Sequence, residues 1–299
     1  MNSLPLHGTS AVVTGGTAGI GFYTALGLAR LGARVVVTAR DEMRGHAAVA
    51  QLRAMAGHSD VELLIADASS VCANATLAEA LTQRVSRLDI LVNNAGGGAF
   101  ADRTETKEGF EAVLALNFIG PFTLTTRLLP VLSQSGSPRI VNVVSSSFKM
   151  WTRDPFDDLQ CKERYVFIDA HARAKLLNLL FTLALARKLT GKALVNAVNP
   201  GMAWTPGVAA LTPPAVPQWR FVWPLVRWVQ RRASAETAAR APLFLASSPD
   251  LADRSGQYFD GLKEQSLPAH VRDTSLQDRV WEVGESFVTR ALDAHTPRA

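Results

Sequence analysis

The chain has 299 residues, 47% of them hydrophobic and 19% charged, which is a globular composition with ample material for a core. Its formal net charge is +5 and its basic residues are scattered, nowhere more than two together, which suits anionic small molecules and argues against a nucleic-acid partner. Cys72 and Cys161 form no CxxC or metal spacing and read as packing residues of a reduced, cytoplasmic protein; no run approaches a transmembrane helix, and the residues before the first strand leave no room for a leader.

From residue 10 to about residue 200, short β-branched runs alternate with longer Ala/Leu segments of helical period, the βαβ rhythm of a parallel sheet. Strands are predicted at Ala11–Thr14, Arg34–Thr38, Val61–Ile65, Asp89–Val92, Arg139–Val144, Ala193–Val198 and Gly256–Phe259. No repeat or polar linker divides the chain, so residues 1–299 read as one α/β domain: a doubly wound parallel sheet of about seven strands with helices on both faces, closed by a C-terminal extension at 262–299.

The segment Ala11-Val12-Val13-Thr14-Gly15-Gly16-Thr17-Ala18-Gly19-Ile20-Gly21 is a strand, a glycine-rich turn and a helix start. Gly15 permits the tight turn, Gly19 lets a pyrophosphate approach the backbone, and Gly21 allows close helix packing, while unpaired amides at the helix start favour an anion. Thr17 and Ile20 belong to the same cradle. The second strand ends in Thr38-Ala39-Arg40, with no carboxylate to accept the ribose hydroxyls of NAD and an arginine placed for a 2′-phosphate, so NADP(H) is favoured over NAD(H), with Asp41 next door as the opposing signal.

The glycine spacing GxxxGxG resembles the short-chain dehydrogenase/reductase family, a Rossmann fold, and further motifs follow in order. Asp67 with Ala68 resembles the adenine-contacting position, Asn93-Asn94-Ala95-Gly96 the NNAG motif, and Pro200-Gly201 with Thr205 the PGxxxT segment that meets nicotinamide. Phe156-Asp157-Asp158-Leu159-Gln160 and the tail Ser255-Gly256-Gln257-Tyr258-Phe259 are similar to the retinol-dehydrogenase-like branch.

The resemblance implies a site of Asn, Ser, Tyr and Lys, the last two spaced YxxxK on one helix face. Asn117, Ser145 and Lys175 match three of these positions, with Ser146 and Ser147 ranked below Ser145, and Lys175 also falls on the nicotinamide ribose. Four residues before Lys175 stands His171 in place of the tyrosine. Tyr165, ten residues before Lys175, resembles a second, non-catalytic tyrosine of the branch.

Three readings follow. His171, with an ordinary pKa of about 6.5, takes over as acid/base of an oxidoreductase acting on a bulky hydrophobic ketone or alcohol. Against this, imidazole is roughly 2 Å shorter than phenol, and a displacement of about 1 Å can cost on the order of 100-fold in rate. In the second, His171 is the base of a non-redox dehydratase, cyclase or isomerase; in the third, the protein is a silent nucleotide binder.

Residues 201–232 break the rhythm with five prolines and four tryptophans, among them Trp204, Trp219, Trp223 and Trp228. They follow the sixth strand and read as a substrate-covering lid, with peripheral membrane contact as the lesser alternative. Ala-rich faces of the later helices suggest a homo-oligomer.

Overall fold

Val35, Val36 and Val37 are all buried, which a strand requires when helices cover both faces of its sheet. The computed structural model describes residues 4–58, 60–98, 102–204 and 233–295. Its strands are β1 (Ser10–Val13), β2 (Arg34–Ala39), β3 (Val61–Ile65), β4 (Ile90–Asn93), β5 (Arg139–Val143), β6 (Leu194–Asn199), β7 (Tyr258–Asp260) and β8 (Lys263–Gln265). They form one sheet in the order β3-β2-β1-β4-β5-β6-β7-β8, parallel except for the antiparallel pair β7 and β8. Each of the seven expected strands is present, within two residues of its expected limits. The eighth is a polar edge of three residues that carries no apolar alternation.

Six longer helices cover the faces: α1 (Gly19–Arg30), α2 (Glu42–Ala56), α3 (Val71–Arg84), α5 (Gly120–Leu132), α6 (Phe167–Lys188) and, late in the chain, α7 (Ala235–Ser247). A short α4 (Ala112–Leu114) leads through a π-helical turn at Ala115–Ile119 into α5. The C-terminal α8 (Thr274–His295) completes the set. One face of the sheet packs against α1, α2 and α7 through Phe22, Leu26, Leu52 and Leu245. The other packs against α3, α5, α6 and α8 through Leu81, Phe122, Leu180 and Val280.

One expectation is corrected. Residues Ala112–Leu132 are long and apolar enough to cross a membrane by length and composition, but 72% of that apolar window is buried inside the fold, where it forms the centre of the larger core. On α7, Ala238, Ala239, Ala241 and Ala246 are buried, and Leu243 of the same helix reaches Gly27 of α1.

The chain reverses its winding between β1 and β4, which lie side by side although two strands and three helices separate them. The carboxyl ends of those two strands open the crevice in which ligands of such sheets sit. The glycine-rich turn and the Asn94-Ala95-Gly96 segment flank it.

Candidate active site

Gly15 and Gly19 adopt φ of +61° and +55°, in the left-handed region where a side chain would be strained. Ala18 precedes α1 without a side-chain cap, so the first amides of the helix are left for an external acceptor. Gly21 is needed for a different contact from the expected helix-on-strand packing. A β-carbon there would fall 2.3 Å from Asn94 Nδ2 and 2.4 Å from the Gly15 carbonyl oxygen.

Asn94 is in turn a brace for the turn itself. Its Nδ2 donates to the Thr14 carbonyl at 2.8 Å, while Thr14 Oγ1 accepts the amides of Asn94 and Ala95 at 2.9 and 3.0 Å. Thr17 and Ile20 lie half-buried in the turn and the first turn of α1. The cradle thus fits a dinucleotide pyrophosphate: it has uncapped amides, and glycine where a β-carbon would collide.

At the end of β2, Arg40 is exposed and makes no ion pair among the described residues. Asp41 caps α2 instead, accepting the Arg44 amide at 3.0 Å and lying 3.5 Å from the Arg44 guanidinium. After β3, exposed Asp67 accepts the amide and hydroxyl of Ser69, and the Ala68 carbonyl presses on Gly120, where a β-carbon would fall 1.9 Å from its oxygen.

Asn117 sits in the π-helical turn, an irregularity frequent at functional sites. Its side chain holds Gly97 in both directions, Nδ2 donating to the carbonyl at 3.0 Å and Oδ1 accepting the amide at 2.9 Å. Lys175, only 4% exposed, donates from Nζ to the Val143 carbonyl at 2.9 Å, and burial lowers its pKa to about 8. A β-carbon on Gly96 would stand 3.0 Å from both Asn117 Oδ1 and Lys175 Nζ, so the three expected positions meet at one point.

One helical turn before Lys175, His171 projects from α6 with its Nδ1 3.2 Å from Ser147 Oγ. Burial first, and then the Lys175 ammonium, push its pKa down to about 3, although part of the ring still reaches the surface. Ser145 caps the 3₁₀ turn Ser146–Met150 by accepting the Ser147 amide at 3.2 Å. Pro200 and Gly201, the latter at φ +82°, follow β6. The Trp204 amide donates to the Ala233 carbonyl. Thr205 and the rest of the expected lid, residues 205–232, lie outside the described residues.

The short chain dehydrogenase family profile matches residues 9–154. Retinol dehydrogenase 14 of Mus musculus is 35% identical over 294 residues, spanning 95% of this chain and 86% of its own. Among solved structures, an uncharacterized protein from Mycobacterium paratuberculosis superposes with a TM-score of 0.73 at 29% identity, covering 96% of each chain. The Pseudomonas aeruginosa RhlG/NADP active-site complex gives 0.66 at 29%, covering 87% of this chain and 97% of the other. The chain belongs to the short-chain dehydrogenase/reductase family, in its retinol-dehydrogenase-like branch.

Two features of this dehydrogenase/reductase escaped the sequence reading. The first is a buried polar ladder: Asn93 Nδ2 donates to Thr125 and Asn142, Asn142 Nδ2 to Thr182, Thr182 to the Asn178 carbonyl, and Asn178 Nδ2 to the Asn117 carbonyl at 2.7 Å. It crosses from β4 to α6 and fixes the turn that carries Asn117. Its signal was an asparagine inside the otherwise apolar strand Ile140-Val141-Asn142-Val143.

The second is Arg173, 4% exposed, which donates to the carbonyls of Asp157, Asp158 and Leu159 and to Cys161 Sγ. It thereby holds a loop in which Asp158 and Cys161 adopt left-handed φ of 43° and 50°. Burial pushes the Cys161 thiol up to about 11 and raises Glu111, whose carboxylate caps α4 by accepting the Val113 and Leu114 amides. Cys161 is therefore a packing residue, as expected from its spacing. In the sequence its signal is an arginine between His171 and Lys175 on a largely apolar helix.

Proposed function

We propose that this protein is an NADPH-dependent carbonyl reductase, or the reverse dehydrogenase, for a bulky hydrophobic ketone or alcohol, with His171 as acid/base in place of the family's tyrosine. The observation that carries the reading is the convergence of Gly96, Asn117 and Lys175 at one point, with His171 one turn away on the same helix. An abandoned site has no physical reason to keep a desolvated lysine beside that asparagine.

The cofactor's residues are those of the cradle, with Arg40 at the 2′-phosphate and Lys175 at the nicotinamide ribose. When bound, NADPH supplies a hydride to the carbonyl carbon. Lys175 contributes positive charge beside the ribose and the ring of His171. Ser145 polarises the substrate oxygen, and His171 exchanges a proton with it. Preference for the phosphorylated cofactor is supported by Asp41, whose carboxylate is engaged at the α2 cap rather than available to a ribose, and by the NADP in the RhlG complex.

A hydrophobic substrate is supported by Met150 and Met202, 52% and 57% exposed on the turns after β5 and β6, and by the retinol named in its relatives. Cytoplasmic residence belongs to the same proposal.

Calorimetry with NADPH, run beside a panel of hydrophobic ketones and alcohols on wild type and His171→Tyr, tests the reading. Binding with turnover by wild type is the expected result. Binding without turnover, restored by His171→Tyr, moves the search to dehydration, cyclisation or isomerisation. Binding with no turnover in either variant points to a nucleotide-binding role.

A further inference from the structure

Ser145, the serine at the position the family uses, is not the serine beside the histidine. Its hydroxyl accepts the Ser147 amide, and this cap turns Ser147 so that its own Oγ lies 3.2 Å from His171 Nδ1. Phe167, one turn earlier on α6, lies beside the imidazole with ring centroids 5.9 Å apart. Hydrogen bond and ring contact together fix the imidazole by the nitrogen nearer the backbone and leave Nε2, the farther-reaching nitrogen, for the substrate.

We propose that Ser147 is the positioning residue of His171: its hydroxyl donates to Nδ1, holds the ring in the Nε2–H form, and relays the proton that replaces the one given to substrate. The assignment rests on the reductase reading above.

The chemistry explains how a short imidazole can replace a tyrosine without becoming a cation beside Lys175. Which nitrogen of a neutral imidazole carries the proton is set by the hydrogen bond made by the other. With Ser147 donating to Nδ1, the proton sits on Nε2. When the carbonyl bond's electron pair moves to the substrate oxygen, that oxygen takes the Nε2 proton. Nδ1 takes the hydroxyl proton of Ser147 as the ring's electrons shift, and Ser147 Oγ is reprotonated by solvent, which its partial exposure admits.

One proton leaves solvent and one reaches the alcohol, the hydride having come from the reduced nicotinamide, so atoms and charge balance. The ring stays neutral throughout, and its opposite tautomer reverts through solvent protons once product has left. Asn117 is already committed elsewhere: its side chain is bonded to Gly97 and Val113, and its carbonyl accepts from Asn178. A proton path through Ser147 does not need it.

The test is ¹⁵N NMR of histidine-labelled holoprotein with NADPH at neutral pH, the His171 signals being those lost in His171→Tyr. A neutral ring with Nε2 protonated and Nδ1 hydrogen-bonded is expected, altered to a tautomer mixture by Ser147→Ala and retained by Ser147→Thr. A cationic ring, an Nδ1–H ring, or signals unmoved by Ser147→Ala would overturn the proposal.

With a turned-over carbonyl, Ser147→Ala should lower kcat by about 10- to 100-fold with KM little changed, and cost about tenfold less in the His171→Tyr background, because contacting residues couple. Equal losses in both backgrounds remove the relay. Absence of turnover with every carbonyl instead sinks the reductase reading, and the spectrum by itself then decides whether Ser147 sets the tautomer.

Discussion

Gly284 of α8 lies against the ring of Phe122 on α5 so closely that a β-carbon would fall 2.5 Å from Cε2. Trp281, one turn earlier, packs on the same ring at 5.3 Å between centroids, so the C-terminal extension is part of the main core rather than an appendage. A larger residue at 284 must displace α8 or twist Phe122, and overpacking of this kind costs about 1–3 kcal/mol. The helix propensity recovered on losing a glycine is at most about 1 kcal/mol, and less for a β-branched residue. Gly284→Val should therefore lower the urea midpoint without changing the slope of the transition. An unchanged or higher midpoint would mean that α8 docks loosely.

Arg40 and its neighbour Asp41 carry opposite charges at the end of β2, where the proposed function puts the group that distinguishes the two nicotinamide cofactors. Because Asp41 is bonded to the start of α2, Arg40 is the side chain that the proposed function assigns to a 2′-phosphate. Arg40→Asp should weaken NADPH binding by at least about 2 kcal/mol, the scale of a charge-assisted hydrogen bond, and NADH binding far less. Titration of both cofactors into both proteins decides it; equal losses would place the 2′-phosphate contact elsewhere.

The sheet was readable because its strands are short, β-branched and buried on both faces, a pattern that survives any detail of packing. The glycine turn was readable because only glycine tolerates the backbone of Gly15 and Gly19. What stayed hidden was contact between distant segments. Nothing at position 21 announces Asn94, and nothing at position 120 announces the Ala68 carbonyl, since a close approach leaves only the absence of a side chain in sequence. Likewise Ser145, Ser146 and Ser147 are indistinguishable along the chain; the 3₁₀ turn after β5 decides which of them faces α6. The apolar stretch Ala112–Leu132 is ambiguous for a different reason, because a core helix and a membrane span share one composition.

Arg173 makes four hydrogen bonds to one loop and stacks on Trp151 at 5.0 Å, all from a buried position. Arg173→Met keeps much of the volume but leaves three carbonyls without their charged donor, each worth about 1.5–3 kcal/mol less any water that replaces it. Arg173→Lys should rescue little, since a single ammonium cannot span carbonyls on three residues. The expected result for Arg173→Met is a net loss of several kcal/mol in unfolding free energy and new protease cleavage within residues 154–164. A fold unchanged in both respects would show that the loop holds itself without the Arg173 hydrogen bonds.

His171 and Lys175 together give the folded protein a definite response to acid. In the unfolded chain His171 titrates near its ordinary value of about 6.5, whereas in the fold it is held at about 3. Between those values the unfolded chain binds a proton that the folded chain refuses, so stability falls as pH falls through this window and is fully present above it. A single group of this kind changes stability by at most about 1.4 kcal/mol per pH unit. Between pH 7 and pH 5 the contribution is about 1–2 kcal/mol once partial exposure of the ring is allowed for. His171→Gln removes the titrating group, so the difference between wild type and variant isolates it from every carboxylate. Wild type should lose that much more stability than His171→Gln from pH 7 to 5, measured by urea unfolding at both. Parallel losses would mean that the ring protonates freely in the fold, and an imidazolium beside Lys175 would then have to be the acid that serves the substrate.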